Sequence, residues 1–274
     1  MKNKNIILLF DVDGVLVPYN QKTVPISVKN ILRKRRVIKV LASGKNLKWC
    51  WEIGEQICAD AVFAENGLVS QFRGKPPQMT ADVSHLEKLR ELIHFTIVNE
   101  SSWTAMVSLG GTTSQMIFEP GKTILTLWAD PRGKVQNLQS APCAWSEEQF
   151  VNEMRRIIKE NLLDIVISGP YRDGGIDFQL VGIDKGKAVD MLRILFPDYK
   201  IIVFADDHND LPMLLRSGVF AVTFANGSKE VKEIVEERQR KGMGFITNKR
   251  AFEGGLEEAL DFLLKRNKGG KRNA

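Results

Sequence analysis

The sequence predicts an α/β fold: a largely parallel sheet flanked by helices, interrupted by an inserted α+β layer. Three observations lead there. Short apolar runs alternate with helix-period segments at both ends of the chain, as in a parallel sheet covered on its faces. The runs end in polar, glycine-containing turns, where an open α/β sheet binds ligands. Between about residues 76 and 182 the alternation gives way to helices and short hairpin-spaced strands, a different rhythm from the rest.

Ile6 to Phe10 is an apolar run of five, too short to span a membrane and suited to a central strand buried on both faces. Asp11 and Asp13 follow where the run stops. Side chains two apart on a strand point the same way, so both acids should face one crevice. Gly14 permits a sharp turn. Asp-Gly is also ordinary turn chemistry, but neighbouring carboxylates repel, and a hard divalent cation such as Mg²⁺ suits an oxygen-only site. Val37 to Ala42 is the next strand, ending in Ser43-Gly44-Lys45-Asn46, and a helix with Leu47, Cys50, Trp51 and Ile57 on its apolar side comes after it. Ala61 to Ala64 is a third strand, closed by the turn signal Glu65-Asn66-Gly67.

Lys75-Pro76-Pro77 has the composition of a linker. A helix is expected from Asp82 to Ile97, then strands at Thr104 to Leu109, Ser114 to Phe118 and Thr123 to Trp128. Ser146-Glu147-Glu148 should cap a further helix, with strands at Asp164 to Ser168 and Ile176 to Val181 after it. The α/β rhythm returns with a helix from Lys185 to Phe196 and a strand, Ile201 to Phe204, that ends in Ala205-Asp206-Asp207-His208-Asn209-Asp210. Val219 to Val222 is a later strand, and a helix at Leu256 to Leu264 closes the fold. The expected division is residues 1–75 and 183–264 for the main domain, 76–182 for the insertion, and 265–274 as a basic, solvated tail.

Composition narrows the function classes. Of 274 residues, 43% are hydrophobic, as in an ordinary globular protein. No run approaches a membrane span, and Met1 leads almost directly into the first strand, so a cytoplasmic protein is expected. Three scattered cysteines, Cys50, Cys58 and Cys143, argue for a reducing compartment, with Cys50 and Cys58 expected in the core of one helix. The net charge is +6, but Lys265, Arg266, Lys268, Lys271 and Arg272 carry five positive charges beside no acid. The chain before them is close to neutral, which argues against a nucleic-acid surface.

Acids at two strand ends can gather a metal, while Ser43, the start of the following helix and Lys185 can meet an anion. A metal, an anion cradle and a spare carboxylate are the equipment of phosphoryl transfer. Gly182-Ile183-Asp184-Lys185-Gly186-Lys187 echoes a nucleotide P-loop, but it is one residue short and ends in Ala188.

Four motifs in order resemble the haloacid dehalogenase superfamily of phosphatases, in its Cof-type, class IIB branch. They are Asp11-Val12-Asp13-Gly14-Val15-Leu16, Ala42-Ser43-Gly44-Lys45, Asp184-Lys185-Gly186-Lys187-Ala188 and Asp206-Asp207-His208-Asn209-Asp210-Leu211-Pro212. The resemblance implies a Rossmann-like core with an α+β cap inserted between the second and third motifs. It implies Asp11 as nucleophile, Asp13 as general acid and base, and Mg²⁺ held by Asp11, the Asp13 carbonyl and Asp206. Ser43, Gly44, Lys185 and Asn209 would bind the phosphoryl group, with Asp210 orienting Lys185 or a metal-bound water. Ala205 stands where the family usually has glycine, and Lys45 where it often has arginine. The implied substrate is a small phosphate ester, with sugar phosphates the leading class. A phosphomannomutase-like sugar phosphomutase is the alternative, and a non-catalytic module binding through the basic tail is the remote one. Specificity is expected from the insertion acting as a lid, with Arg172 and Gln179 offering polar groups to sugar hydroxyls.

Overall fold

The computed structural model describes residues 5–19, 21–33, 37–129, 143–170 and 174–268. Two compact units emerge: Met1–Thr80 with Asp184–Ala274, and Ala81–Ile183.

The first unit begins with β1 (Ile6–Phe10), α1 (Ile26–Arg33), β2 (Ile38–Ala42), α2 (Leu47–Ile57), β3 (Ala61–Ala64), β4 (Val69–Phe72) and β5 (Gln78–Met79). The second unit contributes α3 (Ser84–Leu92), β6 (Thr96–Asn99), β7 (Thr104–Leu109), β8 (Thr112–Phe118), β9 (Leu125–Trp128), α4 (Glu147–Glu160), β10 (Ile165–Ser168) and β11 (Ile176–Leu180). The chain then returns to the first unit with α5 (Gly186–Leu195), β12 (Lys200–Phe204), α6 (Leu211–Leu215), β13 (Phe220–Thr223), α7 (Lys229–Arg240), β14 (Gly244–Ile246) and α8 (Gly255–Lys268).

The first unit's sheet has the order β14-β13-β12-β1-β2-β3-β4-β5, parallel from β14 through β3 and antiparallel at β4 and β5. Every residue of β1 is buried, as a strand covered on both faces requires. Ile7, Leu9, Val40 and Val203 meet the buried residues of α5, α6 and α7. Towards α2, Gly54 packs closely on the sheet: a Cβ there would stand 3.3 Å from Ala59 and 3.4 Å from Leu41. Each fully buried Leu or Ile contributes about 1.5–3 kcal/mol, so this double-sided core holds the strand ends rigidly. Strand order reverses between β12 and β1, which places the sheet's switch point at their carboxyl ends.

The second unit is an antiparallel sheet of order β10-β11-β9-β8-β7-β6 with α3 and α4. In β7, Ala105, Val107 and Leu109 are buried while Met106 and Ser108 are less so, the alternation of a sheet with one packed face. Phe150 of α4 meets Phe178 of β11 edge to face at 6.1 Å. Ser146 and Gln149 form a capping box at the start of α4, as the Ser-Glu-Glu signal suggested.

Several elements differ from the sequence reading. The expected helix through Ile97 stops at Leu92, and the β-branched segment Thr96-Ile97-Val98 enters β6 instead, where Thr96, Ile97 and Asn99 pair with β7. Gln78–Met79 pairs with β4, so the unit boundary falls at Ala81 rather than at the prolines before it. Cys50 is buried, but Cys58 is exposed in a left-handed position just past α2, outside the core where it was expected. The last helix continues to Lys268, so the basic segment begins as helix rather than as loose chain. No helix among the described residues is long and apolar enough to cross a membrane.

Candidate active site

The site of the first unit is built on the carboxyl ends of β1 and β12. Asp11 directly follows β1, and its backbone N–H donates to the Phe204 carbonyl of β12 at 3.0 Å, extending the parallel ladder by one residue. The chain then folds back on itself. Leu16 and Val17 donate to the Val12 carbonyl, Gly14 donates to Val17 at 2.8 Å, and Val12, Val15, Leu16 and Val17 are buried beneath. This closed loop fixes Asp11 and presents the less buried Asp13. Gly14 has φ +85°, and a Cβ there would stand 2.0 Å from Asp206 Oδ2, so only glycine fits.

Lys185 precedes α5 and is 2% exposed. Its ammonium donates to Asp11 Oδ1 at 2.7 Å and to Asp210 Oδ1 at 2.6 Å. Asp184 anchors this turn by accepting the Gly186 N–H, and Arg216 reaches both Asp184 and Asp190. Asp210 is fully buried and spends its other oxygen on the backbone N–H groups of Asp206 at 3.1 Å and Asp207 at 3.4 Å. Asp210 therefore ties the loop after β12 to Lys185.

Asp206, buried at the end of β12, is used unevenly. Its Oδ2 accepts from the Tyr19 hydroxyl at 3.2 Å, while its Oδ1 is buried without a hydrogen-bond partner. One ligand atom each from Asp11, Asp206 and Asp210 lies within 4.8 Å of the others. Burial, then the charge of Asp210, pushes Asp11 well above the usual carboxylate range and Asp206 up to about 7. Burial alone would lower Lys185, but the charges of Asp11 and Asp210 outweigh it and hold the ammonium above its ordinary value. Three buried acids against one buried cation leave a deficit of positive charge. A partnerless carboxylate oxygen in an oxygen-only cluster fits a hard divalent cation.

The second strand end lies beside the first. Ser43 is buried just past β2, its N–H bonded to Phe63 of β3 and its hydroxyl accepting from the Lys45 N–H at 3.2 Å. Asn46 caps α2 through the Trp49 N–H at 2.9 Å. Gly44 faces Asn66, whose side-chain oxygen would be 3.1 Å from a Cβ. Glu65, Asn66 and Gly67 all have positive φ and are buried, and Glu65 and Asn66 donate backbone N–H bonds to Lys45 and Ser43. This turn braces the Ser43 loop, which its Asn-Gly signature did not reveal.

Asn209 is exposed on the short turn 208–210, and His208 is also exposed, with its ring hydrogen-bonded to Asp207. Gln179 lies in the second unit on β11, buried, with its amide donating to Ser168 at 2.6 Å. Arg172 lies outside the described residues. Sequence reasoning missed Tyr19, which sits 187 residues from its partner and belongs to no motif.

A family profile for haloacid dehalogenase-like hydrolases matches residues 8–239. A phosphomannomutase of Solanum lycopersicum is 36% identical over 102 residues, which cover 35% of this chain and 40% of that protein. The chain thus spans about two fifths of the length of the curated relatives it matches. A haloacid dehalogenase-like hydrolase from Bacteroides thetaiotaomicron superposes with a TM-score of 0.66 at 14% identity, covering 95% of this chain and 100% of the other. The sucrose-phosphatase of Synechocystis sp. PCC6803, solved with sucrose and phosphate, gives 0.58 at 13% identity, covering 94% and 98%. These two likenesses are of fold.

Proposed function

Because the chain belongs to the haloacid dehalogenase-like hydrolase family, we propose that it is a Mg²⁺-dependent phosphomonoesterase acting on a small phosphorylated metabolite, with sugar phosphates as the substrate class. The observation that carries this reading is the buried Asp11–Lys185–Asp210 array beside the partnerless oxygen of Asp206. A phosphate monoester is an anion and so is Asp11, so attack requires positive charge close by. Lys185 supplies one such charge.

Asp11 and Asp206, with the carbonyl of Asp13, are the residues to hold Mg²⁺. Bound there, the ion would neutralise phosphate oxygens and the surrounding carboxylates. The remaining work belongs to side chains. A carboxylate oxygen of Asp11 bonds to phosphorus as the ester P–O bond breaks, leaving an aspartyl-phosphate. Asp13 gives its proton to the departing alkoxide, then takes one from the water that attacks the same phosphorus. That second displacement frees Asp11 and releases inorganic phosphate. Ser43, Gly44 and Asn209 bind phosphate oxygens. Asp210, with both oxygens engaged, holds Lys185 in place.

The test is a panel of phosphorylated sugars with free phosphate as readout. Wild-type protein should release phosphate with Mg²⁺ and stop on chelation. Asp11→Asn should remain folded and lose at least about 10³-fold in turnover, the scale on which loss of a nucleophile registers. Near-wild-type activity in that variant would sink the mechanism.

The identity to phosphomannomutases over 102 residues favours a second reading, a sugar phosphomutase using the same nucleophile. A hexose 1-phosphate turned into its 6-phosphate without release of free phosphate would decide for it.

A further inference from the structure

We propose that Tyr19 is a positioning residue that holds Asp206 for single-oxygen coordination, and so selects a small divalent cation over a larger one. The proposal rests on the metal reading above and concerns what this chain adds to it.

Tyr19 is 51% exposed, yet its hydroxyl reaches inward to Asp206 Oδ2 at 3.2 Å. Gly14 borders both oxygens of this carboxylate: a Cβ at residue 14 would stand 2.0 Å from Oδ2 and 2.8 Å from Oδ1. Asp206 Oδ1, by contrast, is buried with no partner. The two oxygens are therefore not equivalent: Oδ2 is engaged by a phenol, and Oδ1 is left for a ligand. An ordinary phenol is protonated at neutral pH, so it serves as the donor here. Asp207 Oδ2 lies at 3.5 Å from the same hydroxyl, at the limit of a hydrogen bond.

A carboxylate fixed in this way can offer a cation one oxygen. Offering both would load Oδ2 with the ion as well as the phenol's hydrogen bond, which draws on the same oxygen's charge. Mg²⁺ demands a near-octahedral shell and binds carboxylates through one oxygen each, whereas Ca²⁺ takes a larger, looser shell and readily accepts both oxygens of one carboxylate. The Tyr19 contact therefore costs Ca²⁺ more than it costs Mg²⁺.

The test is calorimetric titration of the full chain with Mg²⁺ and, separately, with Ca²⁺, for wild type, Tyr19→Phe and Tyr19→Leu, with circular dichroism to check folding. Both variants lack the hydroxyl, and in both the ratio of the Ca²⁺ to the Mg²⁺ dissociation constant should move about tenfold towards Ca²⁺, equivalent to about 1.4 kcal/mol. A purely structural role would weaken both ions by the same factor, and that result, or an unchanged ratio, overturns the proposal. A shift seen in Tyr19→Leu alone also overturns it, because it would implicate the ring and not the hydroxyl. Failure of wild-type protein to bind Mg²⁺ overturns the metal reading and this proposal together. Mg²⁺ binding with an unchanged ratio overturns this proposal alone.

Discussion

Lys185 balances two buried carboxylates at once, and that arrangement makes it the most sensitive side chain of the site. Removing a partner from a buried ion pair leaves uncompensated charge and costs about 3–5 kcal/mol. Lys185→Met should therefore lower the stability of the metal-free protein by about that amount in urea denaturation, beyond its loss of activity. Asp206 gives a prediction of opposite sign. Its carboxyl, pushed up to about 7, binds its proton more tightly folded than unfolded, where a value of about 3.9 is ordinary. The resulting stability is fully present below pH ~4 and is lost as pH rises through about 7. Metal-free Asp206→Asn should accordingly melt higher than wild type at pH 8 and show a flatter stability profile between pH 4 and 8, read by thermal melts. An unchanged profile would mean that Asp206 is not held protonated by its surroundings. Residue by residue, Asp11, Asp206, Asp210 and Lys185 were legible because each sits where a strand ends or a helix begins, at motif spacing. Tyr19 was not, because its partner is brought to it by the sheet and not by neighbouring sequence. The brace at Glu65-Asn66-Gly67 was seen as a turn, but its contact with the Ser43 loop needs β2 and β3 side by side.

Among the elements, the loop after β1 has the least room for change. Gly14→Ala would combine a left-handed φ with a Cβ placed on a buried carboxylate, so either the loop or Asp206 must move. Mg²⁺ affinity should fall at least about tenfold in calorimetry, because coordination tolerates little displacement of its oxygens. Most central parallel strands were legible as short apolar runs, as two-sided burial requires, although Lys39 interrupts the run of β2. The edge strands were not. Val69–Phe72 and Gln78–Met79 mix polar with apolar residues because they run antiparallel at the sheet's margin, and the two prolines between them read as a linker. The helix through Ile97 was overextended because Leu86, Leu89 and Ile93 keep helical spacing almost to its end. The left-handed backbone of His94 then turns the chain into β6.

At the scale of the whole molecule, a ligand that binds the folded state alone stabilises it by mass action, by about 2.7 kcal/mol at a hundred times its dissociation constant. Mg²⁺ should raise the unfolding midpoint of the first unit, and hydrogen exchange should show that protection concentrated in β1 and β12. Equal protection throughout both units would argue against a site at those strand ends. The Asp11–Lys185 pair joins residues 174 apart, with the whole inserted unit between them in sequence. The position of β1 between β2 and β12 has a further consequence on the ribosome. A nascent chain can pair β1 with β2 early, but the other edge of this all-apolar strand waits for Lys200–Phe204 to be made. At ordinary elongation rates that wait lasts about 10–40 s. An open apolar edge invites pairing with another chain. A fragment ending at Ile183 should therefore sediment as aggregate where the full chain does not, and the growing polypeptide should depend on chaperones until its last third has emerged.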